Sequence, residues 1–326
     1  MSMSARAASF QEHSDTARLC PAPVVSVVMC AYNHAPYIAQ AVRGVAAQRA
    51  TFPFELIIGE DCSRDDTRAV VLALQREYPE IVRVLAWSTN VGAHRNVRQL
   101  IESARGDFVA HCDGDDYFSD PSKLQRQVDV LRARDDVSAV FTNFAVTRLR
   151  NGAWTLDPRP AFDATELPKL RGNLRGKAYT GTLRTLTSMY RASVLHAMHT
   201  RGLPLEQYPF SDAFMLAEAV CRGSIETIPE VCAVYRVTPD SATRSSPAAN
   251  LRTIAAVRDF YEHHDQYFPE IAPLDRDVIH GINVAVCRAA YAAGDSDEFQ
   301  RSYQRLRHLG IASVPRYLTW LHTALM

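Results

Sequence analysis

Long hydrophobic runs and an excess of one charge are both missing from this chain of 326 residues. No stretch approaches the roughly 20 apolar residues that a helix needs to cross a bilayer. Residues 1–22 also lack the apolar core of a signal peptide, so we expect a flexible N-terminal tail there. The 36 basic residues balance the 36 acidic ones, and a net charge of zero argues against a general nucleic-acid binder.

Paired cysteine motifs are missing as well. The seven cysteines are odd in number, none belongs to a C-x-x-C pair, and several lie in apolar segments. This pattern argues against a disulfide framework or a zinc site, and it favours buried free thiols in a reducing compartment. We therefore expect a cytoplasmic protein.

Three carboxylates within four positions are the most informative feature that is present. An apolar segment ends abruptly in Asp113-Gly-Asp115-Asp116. Carboxylates this close repel one another unless a cation lies among them, and a Mg²⁺-type ion needs only one or two protein carboxylates. An isolated D-x-D is more often an acidic, solvated turn, so its neighbours in the fold decide between the two interpretations.

Two further apolar segments also end in polar residues. Residues 54–59 lead into Glu60-Asp61, and residues 24–30 lead into Ala31-Tyr32-Asn33. A strand followed by a helix occurs four times in this part of the chain, which is typical of a parallel sheet with helices on both faces. Because such sheets bind ligands at the carboxyl ends of their strands, the three polar clusters predict one shared site.

The later part of the chain gives weaker patterns. A strand is predicted over 137–146, whereas residues 147–183 are rich in glycine, proline and arginine, and we expect loops there. Asp212 lies at a predicted helix start, and the chain is mostly helical from about residue 247. The predicted parts are a tail over 1–22, an α/β domain over 23–245 and a helical region over 246–326.

The motifs, in this order, resemble those of the family 2 glycosyltransferases, which have the nucleotide-sugar-binding GT-A fold. Bacterial members that read E-I-I-I-G-E-D-C-S-T-D and C-E-G-D-D-Y-W-T-D-P-x-K-L-Q-x-Q-V are similar. This chain has E-L-I-I-G-E-D-C-S-R-D at 55–65 and C-D-G-D-D-Y-F-S-D-P-S-K-L-Q-R-Q-V at 112–128. The resemblance covers about residues 23–240 and implies a Rossmann-like, mainly parallel central sheet.

The resemblance also implies how the nucleotide is bound. Tyr32 would pack near the nucleobase, Asp61 would accept a hydrogen bond from the uracil N–H, and Glu60 would support that turn. Arg95 or Arg98 would reach the nucleotide, and the spacing does not decide between the two arginines.

The same resemblance implies the catalytic groups. Asp113 would contact the ribose or the metal, and Asp115 would ligate a Mn²⁺ or Mg²⁺ ion that bridges the diphosphate. Asp212, in Y-P-F-S-D-A-F, matches the general base of the family. One position departs from the pattern, because Thr238 stands where many members have a histidine that serves the metal or the phosphate.

Together these features predict a metal-dependent, inverting glycosyltransferase in bacterial surface polysaccharide synthesis. It would move a sugar from a UDP-sugar to a hydroxyl of a glycan or lipid-linked acceptor. The C-terminal helices are candidates for a homodimer contact or for peripheral contact with the inner face of the membrane.

Two alternatives stay open. A nucleotidyltransferase that forms sugar nucleotides would be expected to have a Gly-rich, basic loop near the first strand, whereas Cys30 is followed by Ala-Tyr-Asn-His-Ala-Pro. A non-catalytic nucleotide-sugar-binding module would have the same fold, and the intact Asp61, Asp113, Asp115 and Asp212 argue against it.

Overall fold

The computed structural model describes residues 8–163, 165, 171, 183–238, 246–271 and 276–309. The strands in these residues are β1 Phe10–His13, β2 Val25–Ala31, β3 Phe54–Glu60, β4 Val82–Trp87, β5 Phe108–His111, β6 Tyr117–Phe118, β7 Val137–Arg150, β8 Ala153–Asp157, β9 Ser188–Arg191 and β10 Ser224–Val237. The helices are α1 Ile38–Ala46, α2 Thr67–Glu77, α3 Ala93–Ser103, α4 Lys123–Ala133, α5 Ala192–Thr200, α6 Asp212–Arg222, α7 Pro247–Tyr267, α8 Arg276–Ala293 and α9 Ser296–His308.

One mixed sheet organises the first part of the chain. Its strand order is β1-β4-β3-β2-β5-β9-β7-β10-β6, and β8 pairs with β7 beside this path. The four neighbours β4, β3, β2 and β5 are parallel, as are β7 and β10, whereas β9 is antiparallel to both β5 and β7. The prediction of a mainly parallel α/β sheet is therefore confirmed.

The main apolar core lies between one face of this sheet and the helices α1, α2 and α4. Alternate side chains of β2 and β3, among them Val27, Met29 and Ile58, are fully buried in it. They meet Val42 of α1 and Leu124 of α4. The helix α3 contacts β2 and β3, and α5 contacts both α3 and α6. Burial on both faces explains why these strands are continuous apolar segments.

The N-terminal strand β1 corrects the prediction of a flexible tail over residues 1–22. It pairs antiparallel with β4 at the edge of the sheet. The ring of Phe10 packs edge-on against Trp87, with 5.2 Å between the ring centroids, and Glu12 accepts a hydrogen bond from Arg83 at 2.8 Å. The prediction is wrong for residues 10–13, because one aromatic contact and one ion pair anchor a strand that is otherwise polar.

A β-hairpin corrects the prediction of loops over residues 147–183. β7 continues to Arg150 and pairs with β8 through the two-residue turn Asn151-Gly152. Both turn residues have positive φ angles, of 49° and 78°, which is the geometry that Asn-Gly favours in tight hairpins. The prediction of loops is wrong for residues 147–150 and 153–157, which are strands. Residues 164, 166–170 and 172–182 lie outside the described part.

The helices α7, α8 and α9 belong to a second compact unit, and the contacts place the boundary after Val237 instead of at the predicted residue 245. Its own core contains Leu251, Val286, Phe299 and Leu306. None of the helices in the described ranges combines the length and the apolar character that crossing a membrane requires.

Candidate active site

Three polar turns meet at one edge of the sheet. β2, β3 and β5 are neighbours and run parallel, so the turns that follow them leave the sheet at the same edge. We call this edge the rim. It carries five of the residues that the sequence singles out, namely Tyr32, Glu60, Asp61, Asp113 and Asp115.

Hydrogen bonds join the turn after β2 to the turn after β3. The N–H of Ala35 donates to Asp65 Oδ2 at 3.0 Å, and the N–H of Arg64 donates to Asn33 Oδ1 at 2.9 Å. Asn33 has a φ of 55°, a left-handed conformation that asparagine adopts more readily than most residues. Tyr32 is half-buried next to this network, so the two turns hold its backbone in place.

Glu60 supports the second turn from inside the protein. Its side chain is fully buried, and Oε1 accepts the N–H of Ser63 at 2.7 Å. The guanidinium of Arg68 donates to Glu60 Oε2 and also to the carbonyl oxygen of Trp87. The geometry gives Glu60 a positioning role, because its charge is paired within the protein and not presented at the surface.

Asp61 holds the loop before α3. Its two carboxylate oxygens accept the N–H groups of Val91 and Gly92 at 2.7 and 2.9 Å, and its carbonyl oxygen accepts Asn90 Nδ2 at 3.0 Å. The residue is 3% exposed, and burial raises its pKa while the two amide hydrogens oppose that shift. Each oxygen accepts one amide hydrogen here, so lone pairs remain for a ligand.

The two arginines that the sequence left open differ in their contacts. Arg98 donates to Glu102 at 2.9 Å on the outer surface of α3. The guanidinium of Arg95 lies 5.5 Å from the centroid of the Trp87 ring. Since Arg98 is engaged along its own helix, Arg95 is the better candidate to reach a bound nucleotide.

The acidic cluster at the end of β5 is built from Asp113, Asp115 and Asp212. Burial raises the pKa of Asp113 to about 7, and the negative charges of Asp115 and Asp212 add to the shift. Asp212 is distant in sequence and reaches the cluster from the N-terminus of α6. The fold therefore brings together the predicted metal carboxylates and the predicted base.

Close packing keeps the acidic turn near α1. A Cβ atom on Gly114 would lie only 2.5 Å from Ile38 Cδ1 and 2.8 Å from His34 Nδ1. The N–H of Gly114 donates to the carbonyl oxygen of Cys30 at 2.9 Å, which joins the turn to the end of β2. Any larger residue here would force the Ile38 and His34 side chains to move and would press on the carbonyl oxygen of Cys30 at 3.0 Å, so glycine is strongly favoured.

Asp116 faces inward and meets β10. It is 2% exposed and accepts the backbone N–H of Arg236 at 2.7 Å. Burial raises the pKa of Asp116 well above its usual range, and the charges of Asp115 and Asp113 add to this effect. These contacts give Asp116 a structural role, because it fixes the acidic turn to β10.

Arg236 is a rim residue whose role the sequence did not predict. Its guanidinium donates to the carbonyl oxygen of Asp115 and, at 2.6 Å, to Gln40 Oε1. Three aromatic rings surround it at centroid distances of 4.9, 5.3 and 5.4 Å, those of Tyr37, Tyr117 and Trp154. In the sequence, Arg236 is recognisable only as part of the Tyr235-Arg236 dipeptide, and this dipeptide does not indicate a contact with Asp115.

Asp212 is the first residue of α6 and is exposed. Its Oδ1 accepts the N–H of Ala213 at 2.9 Å. The N-cap position belongs to Ser211, so Asp212 is not the capping residue. Although Asp212 is accessible to solvent, neighbouring protein atoms reduce the hydration of its carboxyl group and raise its pKa, against the opposing effects of the Ala213 amide and Arg184. A raised pKa moves a carboxylate towards the range useful to a general base.

Arg184 is the second residue that sequence reasoning missed. Its guanidinium lies 5.1 Å from the centroid of the Tyr235 ring, and its charge acts on Asp212. The surrounding sequence has no clear periodicity, so no pattern indicated that this arginine lies next to the acidic cluster.

Asp113 and Asp115 fit a divalent cation. Their mutual repulsion contributes to the raised pKa of Asp113, and a cation between them would remove that cost. Within the described ranges, no group of three or more protein side chains forms a metal site. A Mg²⁺-type ion does not need one, because it takes one or two carboxylates and completes its shell with water and substrate phosphates.

A family model described as Glycosyl transferase family 2 matches residues 26–197, which is more than half of the chain. The chain belongs to this family. A Mycobacterium tuberculosis protein (strain ATCC 25618 / H37Rv) is 32% identical over 216 residues, which cover 65% of this chain and 58% of the relative. The aligned region therefore spans less than two thirds of the relative's length. TuaG of Bacillus subtilis (strain 168) is 33% identical over 124 residues, which cover 38% of this chain and 48% of the relative. Its name describes a teichuronic acid biosynthesis glycosyltransferase.

Solved structures show the same fold. The complex of Staphylococcus aureus TarS 1-349 with UDP has a TM-score of 0.53 at 18% identity, covering 87% of this chain and 91% of that one. The mannosyltransferase PcManGT from Pyrobaculum calidifontis, in complex with GDP-Man and Mn²⁺, has a TM-score of 0.59 at 18% identity. The match covers 93% of this chain and 84% of that one. The GT-A-type architecture implied by the motifs is thus the fold of this chain.

Proposed function

We propose that this family 2 glycosyltransferase is metal-dependent and inverts the anomeric centre of a UDP-sugar donor. The observation that carries the proposal is that the N-terminus of α6 brings Asp212 to the turn after β5, where its charge and that of Asp115 both act on Asp113. With the metal held at Asp113 and Asp115 and the base at Asp212, the acceptor could displace the diphosphate from the anomeric carbon in one step.

Asp113 and Asp115 would hold the divalent ion. When bound, the ion supplies Lewis-acid stabilisation of the negative charge that grows on the departing diphosphate. Arg236 holds the backbone of Asp115 through its carbonyl oxygen, and Asp116 fixes the same turn to β10. These contacts keep the carboxylates in place without an energetic cost at the moment of reaction.

Asp212 would act on the acceptor. The acceptor hydroxyl gives its proton to the Asp212 carboxylate while its oxygen attacks the anomeric carbon, and the bond to the diphosphate breaks. General-base help of this kind contributes about 10²–10⁴-fold. A single displacement inverts the anomeric centre, so no side chain has to form a covalent bond to the sugar.

Uracil is the proposed nucleobase of the donor. The support is the motif that contains Asp61, together with the lone pairs that its carboxylate retains. Tyr32 would pack against the base and Arg95 would contact the nucleotide. The structural neighbours were solved with UDP and with GDP-Man, so the fold alone does not choose the base.

Bacterial surface polysaccharide is the proposed destination, with a glycan or lipid-linked hydroxyl as acceptor and the cytoplasmic side of the membrane as the location. The similarity to the teichuronic acid protein supports it. A screen of radiolabelled nucleotide sugars with cell-envelope extracts, followed by NMR of the product's anomeric proton, tests the proposal. A product of inverted configuration is expected, and retention of configuration would contradict the mechanism.

A further inference from the structure

The β7–β8 hairpin exposes an apolar face. In the described part of the chain, Leu149, Trp154 and Leu156 are three of the four large hydrophobic side chains classed as exposed, at 42%, 39% and 48%. Leu149 pairs directly with Trp154 across the hairpin, and Thr147 pairs with Leu156. Because side chains alternate along a strand and directly paired residues share a face, the three apolar side chains lie on one face.

The same hairpin is cationic. Residues 147–156 contain two arginines and no carboxylate. Arg148 and Arg150 are exposed and alternate with Leu149, so they lie on the opposite face of the ribbon. Asp157 is paired with Arg159 at 2.7 Å, so it contributes little net charge at the base of the hairpin.

The apolar face adjoins the rim. The Trp154 ring packs edge-on against Tyr37, with 5.8 Å between centroids. The guanidinium of Arg236 lies 5.4 Å from the Trp154 centroid and also donates to the carbonyl oxygen of Asp115. Whatever contacts the hairpin therefore lies next to the acidic cluster.

The chemistry of the face favours lipid over other occupants. Three side chains that are each less than half exposed supply roughly a few hundred Å², well short of the roughly 800 Å² per partner in a stable dimer. Leucines cannot hydrogen-bond to the hydroxyls of a glycan, and two of them flank the tryptophan. A small apolar surface that contains tryptophan and has arginines nearby is sufficient for weak contact with an anionic bilayer. Burial of the apolar side chains and attraction of the arginines to lipid phosphates both contribute to the binding free energy.

We propose that the β7–β8 hairpin docks this enzyme on an anionic membrane surface. Leu149 and Leu156 enter the headgroup–acyl boundary, the exposed edge of Trp154 lies beside them at the headgroup level, and Arg148 and Arg150 reach the lipid phosphates with their long side chains. Insofar as the proposed function holds, docking brings the rim to the surface where a lipid-linked acceptor presents its hydroxyl.

Cosedimentation of the full chain with vesicles tests the proposal without any transfer reaction. The vesicles contain phosphatidylcholine alone or mixed with phosphatidylglycerol, at low and at high salt. The wild type is expected to bind the mixed vesicles, less so at high salt. Leu149→Ser with Leu156→Ser should lower the partition coefficient by about tenfold or more, and Arg148→Gln with Arg150→Gln should weaken both the binding and its salt dependence.

Tyr291→Ser is the matched control, because Tyr291 is the fourth exposed large hydrophobic residue of the described part, at 43%, and lies on α8. It should bind like the wild type. The proposal is overturned if the wild type does not sediment with anionic vesicles, if the double-serine variant binds equally well, or if Tyr291→Ser loses as much. A change in oligomeric state of the double-serine variant on gel filtration would identify a second copy of the chain as the occupant instead. Vesicle binding without transfer from any donor would refute the proposed function and leave the docking surface intact.

Discussion

The backbone N–H of Arg236 donates to the buried carboxylate of Asp116 at 2.7 Å, and this bond joins the end of β10 to the acidic turn after β5. The side chain of the same arginine donates to the carbonyl oxygen of Asp115. Two groups of one residue thus fix both acids that follow Gly114, and the position of Asp115 depends on a strand that is more than a hundred residues away in the sequence.

Replacing Arg236 should therefore disturb Asp115 without removing any carboxylate. Arg236→Met loses the donors to Asp115 and Gln40 but keeps the backbone bond to Asp116. We expect UDP affinity in Mn²⁺ to fall by about ten- to hundredfold, whereas affinity in EDTA changes little, since a lost bond to a charged group costs about 1.5–3 kcal/mol. Calorimetry gives both values. Gln40→Ala, which removes one acceptor only, is the control, and an equal loss in the two variants would contradict this role for Arg236.

Asp212 is expected to act in the chemical step and not in donor binding. Asp212→Asn should retain UDP affinity and lower turnover by about 10²-fold or more. Asp297→Asn removes a first-turn carboxylate from α9 and serves as the control for helix stability. Near wild-type turnover in Asp212→Asn would show that the base lies elsewhere.

Asp61 is expected to select the base as well as hold the loop. An uracil N–H can donate to its carboxylate, whereas cytosine presents an unprotonated nitrogen there, and an unpaired buried group costs about 1–3 kcal/mol. UDP should therefore bind roughly ten- to hundredfold more tightly than CDP, and Asp61→Ala should lose most of this ratio. Asn90→Ala loosens the same loop and should keep the ratio. Equal affinities of the wild type for UDP and CDP would exclude base reading by Asp61.

Buried His111 should make stability fall in acid. Burial, with a smaller contribution from Lys123, lowers its pKa to about 3, and its Nδ1 lies 3.1 Å from Ser188 Oγ. The unfolded chain takes up this proton below about pH 6.5 while the folded protein does not, so the stabilisation present above that pH is lost as the pH falls towards 3.

His111→Asn keeps a polar partner for Ser188 and does not titrate. Measured by urea unfolding, the unfolding free energy of the wild type minus that of the variant should fall by about 1.4 kcal/mol for each pH unit below 6.5. His196→Asn, at an exposed position on α5, is the control. A difference that stays constant between neutral pH and pH 5 would contradict the assignment.

The sequence predicts the central strands because their local pattern and their environment agree. β2, β3 and β5 are apolar on both faces and end in residues that favour turns, so composition alone indicates both their positions and the rim. The acids Asp61, Asp113 and Asp115 follow directly from these strand ends.

Contacts between distant segments were beyond such reasoning. The strand β1 is mostly polar and depends on Trp87 and Arg83 of β4. The hairpin turn Asn151-Gly152 and the alternation of Leu149, Trp154 and Leu156 beside it were usable local signals, but the strand residues next to the turn are largely exposed and no buried apolar segment marks them. Arg236 and Arg184 reach the acidic cluster only through the tertiary fold, so no spacing rule could assign them.

Calorimetric titration with UDP, in the presence of Mn²⁺ or of EDTA, on the wild type and Asp115→Asn is the decisive test of the metal site. We expect tight binding by the wild type in Mn²⁺, weak binding in EDTA, and equally weak binding by Asp115→Asn under both conditions, because the carboxylate acts through the ion. Wild-type affinity that is the same in EDTA as in Mn²⁺ would contradict the metal site at Asp113 and Asp115.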